Sequence, residues 1–285
     1  MRSARRWALP SAMLLGAAVA AVAFALPASP LHYGIEASAS APHQSSAPAS
    51  GESQAAASQP GDSASSPHEF YFTRAAYGSS FSGRRFASWT TDYPKADRQF
   101  LIGLRRLTNI DAYEAEHPIR LDDPELRRYP FLYAVEVGYM GMDAAEIAGL
   151  RDYLLAGGFL FVDDFWGTQE WQNFEQQIRQ VLPEYEIVDL SPDHPLFSSF
   201  YTIDELIQVP NVQLGAMGGR TWEKDGYQPH YRAIFDDRGR LLVLISWNTD
   251  LGDAWEWAEQ PYYPLRFSTF AYELGVNAII YGMSH

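Results

Sequence analysis

The chain has 285 residues, no cysteine and a formal net charge of −14 at pH 7. Such an acidic surface disfavours nucleic acid and anionic lipid headgroups, which proteins bind through clustered lysine and arginine. The lack of cysteine excludes disulfides and a thiolate nucleophile, and the lack of a Gly-x-Ser-x-Gly elbow excludes the serine of α/β-hydrolases. Cations, polar small molecules and neutral polymers such as glycans are therefore the expected partners.

The N-terminal segment has the order of a secretory signal. Three arginines among the first six residues precede an apolar stretch, 13–26, that is short for a membrane span. Residues 1–26 are therefore expected to be a signal peptide, cleaved or retained as an anchor. The protein is expected to be periplasmic or secreted, with an uncleaved segment as its membrane contact.

Residues 27–68 form an expected linker. They consist mainly of Ala, Ser, Pro, Gly and Gln, which bury too little apolar surface to offset the entropy of ordering, so this stretch is predicted to be disordered. The composition changes at Glu69. Residues 69–285 are numerous enough to fold as one domain around their own core.

The first part of that domain alternates strand and helix patterns. Asp143 and Glu146 have the spacing of a capping box at one helix start, and Thr168 is placed to cap another. The alternation predicts right-handed crossovers and a parallel sheet flanked by helices. The predicted elements are strands over 69–77, 129–137 and 159–163, and helices over 95–107, 143–157 and from 168, the last with Trp171, Phe174, Ile178 and Val181 buried.

The C-terminal third has a different pattern. Residues 231–235 and 241–247 read as a β-hairpin with Gly239 in its turn. A final helix over about 265–281 follows. Its predicted buried side comprises Phe270, Leu274, Asn277 and Tyr281.

Four segments together resemble the bacterial domain-of-unknown-function family 4159, and the resemblance covers about 69–285. It implies an α/β fold, a flavodoxin-like parallel sheet flanked by helices, similar to class I glutamine amidotransferase-like and ThuA-like proteins. It implies no established activity. The segments are Trp89–Asp97, Phe161–Trp166, His194–Phe197 and the tail from Asn248 through Asp250 to Trp255 and Glu256.

The chain departs from true amidotransferases at the position of the catalytic cysteine. Those enzymes place a cysteine on the elbow after a central strand, where a histidine activates it. Asp163 and Asp164 stand there in this sequence. A carboxylate cannot perform thioester chemistry, so glutamine amidotransferase activity is not expected.

Asp163, Asp164 and His194 are the candidate catalytic residues. Adjacent carboxylates at a dry strand end raise one pKa, which suits a general base or a metal ligand. The alternative is that one aspartate caps the following helix, and this interpretation is favoured for at least one of them. For His194, a loop histidine bonded to backbone is favoured over a general base, and no second histidine accompanies it in a zinc-binding pattern.

A second acidic group lies near the C-terminus. Asn248, Asp250, Asp253 and Glu256 place four oxygen side chains within nine positions, and the last three are candidate ligands of a divalent cation such as calcium. The spacing differs from the EF-hand loop. A solvated acidic turn is therefore the favoured interpretation, and no cofactor is otherwise expected.

Aromatic residues near acids and amides predict a polar-aromatic cleft. The hypothesis that follows is an exported, non-catalytic binding or scaffold domain that recognises a carbohydrate, another envelope component or an envelope protein. The alternative is a carboxylate-dependent, metal-assisted hydrolase using Asp163 or Asp164 with His194. The candidate ligand-binding residues are Arg74, Trp89, Asp92, Tyr93, Trp166, Trp247, Asn248 and Trp255.

Overall fold

The computed structural model describes residues 68–78 and 89–284. The expected signal or anchor segment, 1–26, and the linker to residue 67 lie outside the described residues. The described residues all belong to one compact unit. Within the described stretches, no helix is both long and apolar enough to cross a membrane.

A seven-stranded sheet forms the middle of the domain, in the order β2-β1-β3-β4-β7-β6-β5. Strands β2, β1, β3, β4 and β7 run parallel, in the order of a flavodoxin-like sheet, while β6 is antiparallel to both of its neighbours. The strands are β1 Thr73–Ala76, β2 His117–Arg120, β3 Phe131–Val135, β4 Phe159–Asp163, β5 Ile187–Asp189, β6 His230–Phe235 and β7 Leu241–Trp247.

Helices cover both faces of this sheet. Alternate residues of each central strand point to opposite faces, so Phe161 of β4 packs in the core with α1 and α6, and Val162 in the core with α2 and α3. Both faces of β4 are therefore apolar. The helices are α1 Lys95–Leu107, α2 Ala144–Leu155, α3 Gly167–Val181, α4 Val212–Met217, α5 Leu251–Glu256 and α6 Leu265–Ser284.

Most predicted elements are present, with shifts at their ends. The helix over 95–107, the strand over 159–163 and the hairpin match, and Asp143 and Glu146 form both bonds of a capping box. The first strand is shorter, beginning at Thr73, and the strand predicted over 129–137 spans 131–135. The final helix runs to Ser284 and buries the four predicted residues.

The predicted cap of α3 is wrong. Thr168 lies inside the helix, which begins at Gly167 without a side-chain cap on its N-cap residue, Trp166. Its first amides donate to distant acceptors instead. Gly167 N donates to Asn248 Oδ1 at 2.8 Å, and Thr168 N to Asp225 Oδ1 at 3.0 Å. Acceptors brought by the tertiary fold thus replace the local cap.

Candidate functional site

The loops that follow the parallel strands meet at one edge of the sheet, here called the carboxyl edge. Ligands of open α/β sheets bind at this edge, near the point where the strand order reverses. In this sheet the reversal lies between β1 and β3.

Backbone strain is concentrated at the carboxyl edge. Five non-glycine residues in the described chain have left-handed φ angles. Four lie in loops that follow parallel strands, and the fifth, Lys224, lies in the loop before β6, which begins at the same edge beside the end of β7. Such conformations carry a free-energy cost and occur often at functional sites. The residues, with φ values, are Asp92 (60°), Glu136 (54°), Asp164 (50°), Lys224 (49°) and Asn248 (61°).

Six carboxylates gather at this edge, here called the acidic cluster: Asp92, Asp163, Asp164, Asp250, Asp253 and Glu256. They come from three chain segments: the turn before α1, the end of β4, and the start of α5 after β7. The strand order explains the proximity of the last two segments, because β4 and β7 are adjacent.

Asp163 is fully buried and links β4 to α5. Its Oδ2 accepts hydrogen bonds from Tyr133 Oη at 2.8 Å, from Leu251 N at 2.8 Å and from Gly252 N at 3.0 Å. Its Oδ1 is buried and has no hydrogen-bond partner among the described residues. Burial raises the pKa of Asp163 to about 7, although these donors oppose the shift. Asp163 therefore accepts from the first amides of α5, and it does not cap α3, the helix that follows it in the chain.

Asp164 is also buried, and it lies beside Trp166. Its Oδ1 accepts a hydrogen bond from Trp166 Nε1 at 3.0 Å. Burial raises the pKa of Asp164 well above its ordinary value, and the neighbouring charges of Glu136 and Asp92 add to the effect. Trp166 itself is only 2% exposed, so it packs in the interior.

Asp92 lies on the more open side of the cluster. The residue is half-buried, but its Oδ2 is completely buried and accepts no hydrogen bond within the described chain. The pKa of Asp92 is raised well above its ordinary value. Burial is the largest cause and the charge of Asp253 is the second, while the charge of Arg74 opposes the shift. A buried carboxylate oxygen without a donor is unfavourable unless another partner is bound.

The segment predicted as a solvated acidic turn is a buried helix start, so that interpretation is wrong. Asp250, 4% exposed, caps α5 by accepting from Asp253 N at 2.8 Å. Asp253 accepts from Val212 N at 2.6 Å and from Trp257 Nε1 at 3.0 Å. Glu256 is half-buried and lies 3.7 Å from Lys95 Nζ. Pairing of β7 with β4 buries the segment, which its own pattern did not indicate.

Two groups of three carboxylates have the spacing of cation ligands. One oxygen each from Asp92, Asp164 and Asp250 lie within 4.8 Å of one another. The same holds for Asp92 with Asp253 and Glu256. The residues of the first group come from three separate segments. A pattern of ligands within one continuous loop therefore does not reveal them.

Arg74 is a buried residue that stabilises one loop of the carboxyl edge. It is fully buried in β1, pairs with Asp97 of α1, and its Nη1 donates to the carbonyl oxygen of Thr91 at 3.3 Å. Its guanidinium lies 4.9 Å from the ring centre of Tyr133. Arg74 thus holds the turn that carries Asp92, and it is not itself exposed to a ligand.

A second group of carboxylates, Glu136 and Glu170, lies beside the acidic cluster and is not indicated by any sequence motif. Glu136 follows β3, is half-buried, and has its pKa raised to about 8 by burial and by the charge of Glu170, with Lys224 opposing. Glu170 is 5% exposed, pairs with Lys224 and accepts from Trp166 N at 2.6 Å. The position of Glu136 directly after a buried strand was the available signal.

The remaining aromatic candidates differ in exposure. Trp255 is fully buried in the core. Trp247 is covered by His230, stacked at 4.8 Å between ring centres, and by Trp171 at the same distance. Trp89 and Tyr93 are half-buried and lie 5.7 Å apart, on either side of Asp92 in the chain.

Asn248 and His194 have structural partners. Asn248 accepts from Gly167 N at the start of α3, and its Nδ2 donates to the carbonyl oxygen of Gln228 at 2.8 Å. His194 packs on Phe235 and Tyr281 and accepts from Leu196 N at 3.3 Å. Phe235 pairs with Leu241, where β7 begins, so about 20 Å of strand separates this region from the carboxyl edge. The structure therefore does not bring His194 together with Asp163 or Asp164.

Comparison with known proteins gives one result that identifies the chain. A search of curated proteins finds no match. A family model described as "Domain of unknown function (DUF4159)" matches residues 72–283, which include every strand and helix α1 to α5 and all but the last residue of α6. The chain therefore belongs to the DUF4159 family.

Proposed function

We propose that this chain is a non-catalytic binding domain whose ligand site is the carboxyl edge. Its ligand would be a neutral polar molecule, for which a carbohydrate of the cell envelope is the best match. The observation that carries the proposal is the half-buried pair Trp89 and Tyr93 beside Asp92. Aromatic rings next to carboxylates suit sugars, because rings pack on the apolar face of the sugar and carboxylates accept from its hydroxyls.

Charge supports a neutral ligand over an anionic one. Among the described residues, Lys95 is the one cationic side chain that forms an ion pair with the acidic cluster, through Glu256. Phosphate or carboxylate groups would therefore be repelled. Neutral hydroxyl groups meet no such barrier.

The surroundings of the carboxylates support binding over catalysis. Asp163 Oδ2 is occupied by three donors, and its residue is fully buried, so a substrate proton does not reach it. His194 belongs to another part of the fold. The sequence has no cysteine.

Export is part of the proposal. The arginine-containing apolar N-terminus and the Ala, Ser and Pro-rich stretch after it support a domain tethered in or released to the periplasm. An envelope carbohydrate would be encountered in that compartment.

The test is binding of the full chain to purified peptidoglycan sacculi and to a panel of neutral oligosaccharides. Asp92→Asn and Trp89→Ala should lower binding about tenfold or more, a loss of about 1.4 kcal/mol per factor of ten. Asp237→Asn and Phe200→Ala are matched controls, since both residues are exposed and lie on other surfaces. Equal binding by all four variants would disprove the site.

Glu136 favours one second candidate, a carboxylate-dependent hydrolase. A half-buried carboxyl group with a pKa of about 8 is protonated at neutral pH and can act as a general acid. This candidate replaces His194 by Glu136. If the chain is a hydrolase, the unaltered protein should release a product from sacculi, and Glu136→Gln should bind sacculi without releasing it. If the chain only binds, neither protein should release a product.

A further inference from the structure

The cation-binding capacity of the acidic cluster follows from geometry that is independent of any carbohydrate. Asp92, Asp164 and Asp250 each direct one carboxylate oxygen to a common region, within 4.8 Å of one another. Calcium is bound by oxygens at 2.3–2.6 Å, so oxygens on opposite sides of one ion are about 5 Å apart. The observed spacing fits that limit.

Two buried oxygens in the cluster have no donor in the described chain. They are Oδ2 of Asp92 and Oδ1 of Asp163, and Asp163 is fully buried. Asp92 is a member of the group, and Asp163 directly precedes its member Asp164 in the chain. Native folds leave few buried polar atoms without a partner. A cation bound by the group would supply the partner that Asp92 Oδ2 lacks.

Cationic side chains do not fill this role within the described chain. Arg74 pairs with Asp97, Lys95 with Glu256, and Lys224 with Glu170. No ion pair of the described residues includes Asp92, Asp163, Asp164 or Asp250. Arg74 is close enough to lower the pKa of Asp92, but burial and neighbouring carboxylates outweigh it. These four carboxyl groups therefore have no cationic partner among the described residues.

We propose that Asp92, Asp164 and Asp250 bind one divalent cation, calcium in preference to magnesium. The preference for calcium follows from the burial of the site and from the fact that its ligands are protein carboxylates rather than waters. Magnesium is dehydrated reluctantly and usually retains several waters, whereas calcium accepts more protein oxygens in irregular arrangements. Asp164 and Asp250 are 6% and 4% exposed, which leaves little room for a hydrated ion.

The cation would join three segments at the carboxyl edge: the turn at Asp92, the end of β4 and the start of α5. This role goes beyond ligand recognition, and it holds whether or not a carbohydrate binds there.

The experiment uses the full chain after removal of metals by a chelator, with calcium or magnesium as the probe. At a calcium concentration a hundredfold above Kd, the Tm should rise by about 5–10 °C. Calorimetry should give one calcium per chain, and magnesium should bind more weakly. An unchanged Tm in millimolar calcium would overturn the proposal.

The variant Asp164→Asn tests whether the Asp164 carboxylate binds the cation or only stabilises the fold. Removing one charge from a mutually repelling group should leave the cation-free Tm unchanged or higher, while the calcium response is lost. Asp237→Asn, in the exposed hairpin turn, should retain the full response. A calcium response that persists in Asp164→Asn would overturn the assignment of the ligands.

Arg84 and Arg85 provide a rival source of positive charge, and they lie in the stretch 79–88 outside the described residues. If they neutralise the cluster, replacing both by alanine should lower the Tm, and calcium should not bind to the unaltered chain. The proposal expects calcium binding in both proteins. Because no carbohydrate is used, failure of these tests is distinct from failure of ligand recognition.

Discussion

Asp163 Oδ2 accepts a hydrogen bond from the backbone amide of Leu251 at 2.8 Å, across 88 positions of the chain. The bond connects the end of β4 to the first turn of α5. A carboxylate next to a helix N-terminus is favourable, because free amides and the positive end of the helix dipole point at it. Asp163 therefore positions α5, and with it Asp250, while its neighbour Asp164 faces the cluster.

The first prediction concerns this link. Asp163→Ala removes the acceptor of two buried amides and of the Tyr133 hydroxyl. Each buried donor left without a partner costs about 1–3 kcal/mol, so the free energy of unfolding should fall by about 3 kcal/mol or more. Asp163→Asn keeps one acceptor oxygen and should lose less. Urea denaturation measures both, and an alanine variant no less stable than the asparagine variant would contradict the role.

The fold could be predicted from the sequence because its signals are local. Apolar runs such as 159–163, the capping box at Asp143 and the periodic apolar residues of α1 and α3 each define an element without knowledge of the others. The pairing of strands then follows from general rules on crossovers.

The site was less predictable, because its members meet through tertiary contacts. Asp250 reads locally as part of an exposed turn, and it is buried because β7 lies beside β4. Trp166 reads as a ring at a strand end, yet it is interior. Glu136 carries no motif at all. Sequence spacing does not state which loops share an edge, so the trio of Asp92, Asp164 and Asp250 requires the strand order.

The second prediction concerns pH. Burial raises the folded-state pKa of Asp163 to about 7 and that of Glu136 to about 8, above the values near 4 of unfolded carboxyls. Between pH 4 and 8 the folded protein therefore holds more protons than the unfolded chain. Its stability should fall as pH rises through this window.

Thermal unfolding of the chelator-treated protein from pH 5 to pH 8.5 tests the sign. The Tm should be lower at the alkaline end, and calcium should restore it there. Glu136→Gln removes the group with the higher pKa, so its decline should be shallower above pH 7. A Tm that increases steadily with pH would show that these carboxyls are ionised in the folded state.

The third prediction separates Trp166 from the half-exposed aromatics. Trp166 is 2% exposed, and Trp166→Ala should lower the free energy of unfolding by about 3–5 kcal/mol, as Phe161→Ala should. This corrects the expectation from sequence that Trp166 serves mainly a ligand. Trp89→Ala, at a half-buried position, should lose less. Chemical denaturation decides, and a Trp166→Ala protein as stable as Trp89→Ala would contradict the packing role.

The last prediction tests the cation site through a residue that is not a ligand. A Cβ atom on Gly252 would lie 2.6 Å from Asp92 Oδ2 and 3.4 Å from Tyr133 Oη. Gly252→Ala should therefore displace the Asp92 carboxylate and weaken calcium binding about tenfold or more. Alanine is a better helix former than glycine by about 1 kcal/mol, so α5 itself is not weakened by the change.

Gln172→Ala provides the control, because Gln172 is exposed on α3 and does not belong to the acidic cluster. It should leave calcium affinity unchanged. Calorimetric titration of the two variants against the unaltered chain gives the comparison. Since Gly252 contributes no carboxylate, a selective loss of affinity in Gly252→Ala requires that Asp92 is held in place as a ligand. Equal affinities in all three proteins would mean that the Asp92 oxygen does not contact the ion.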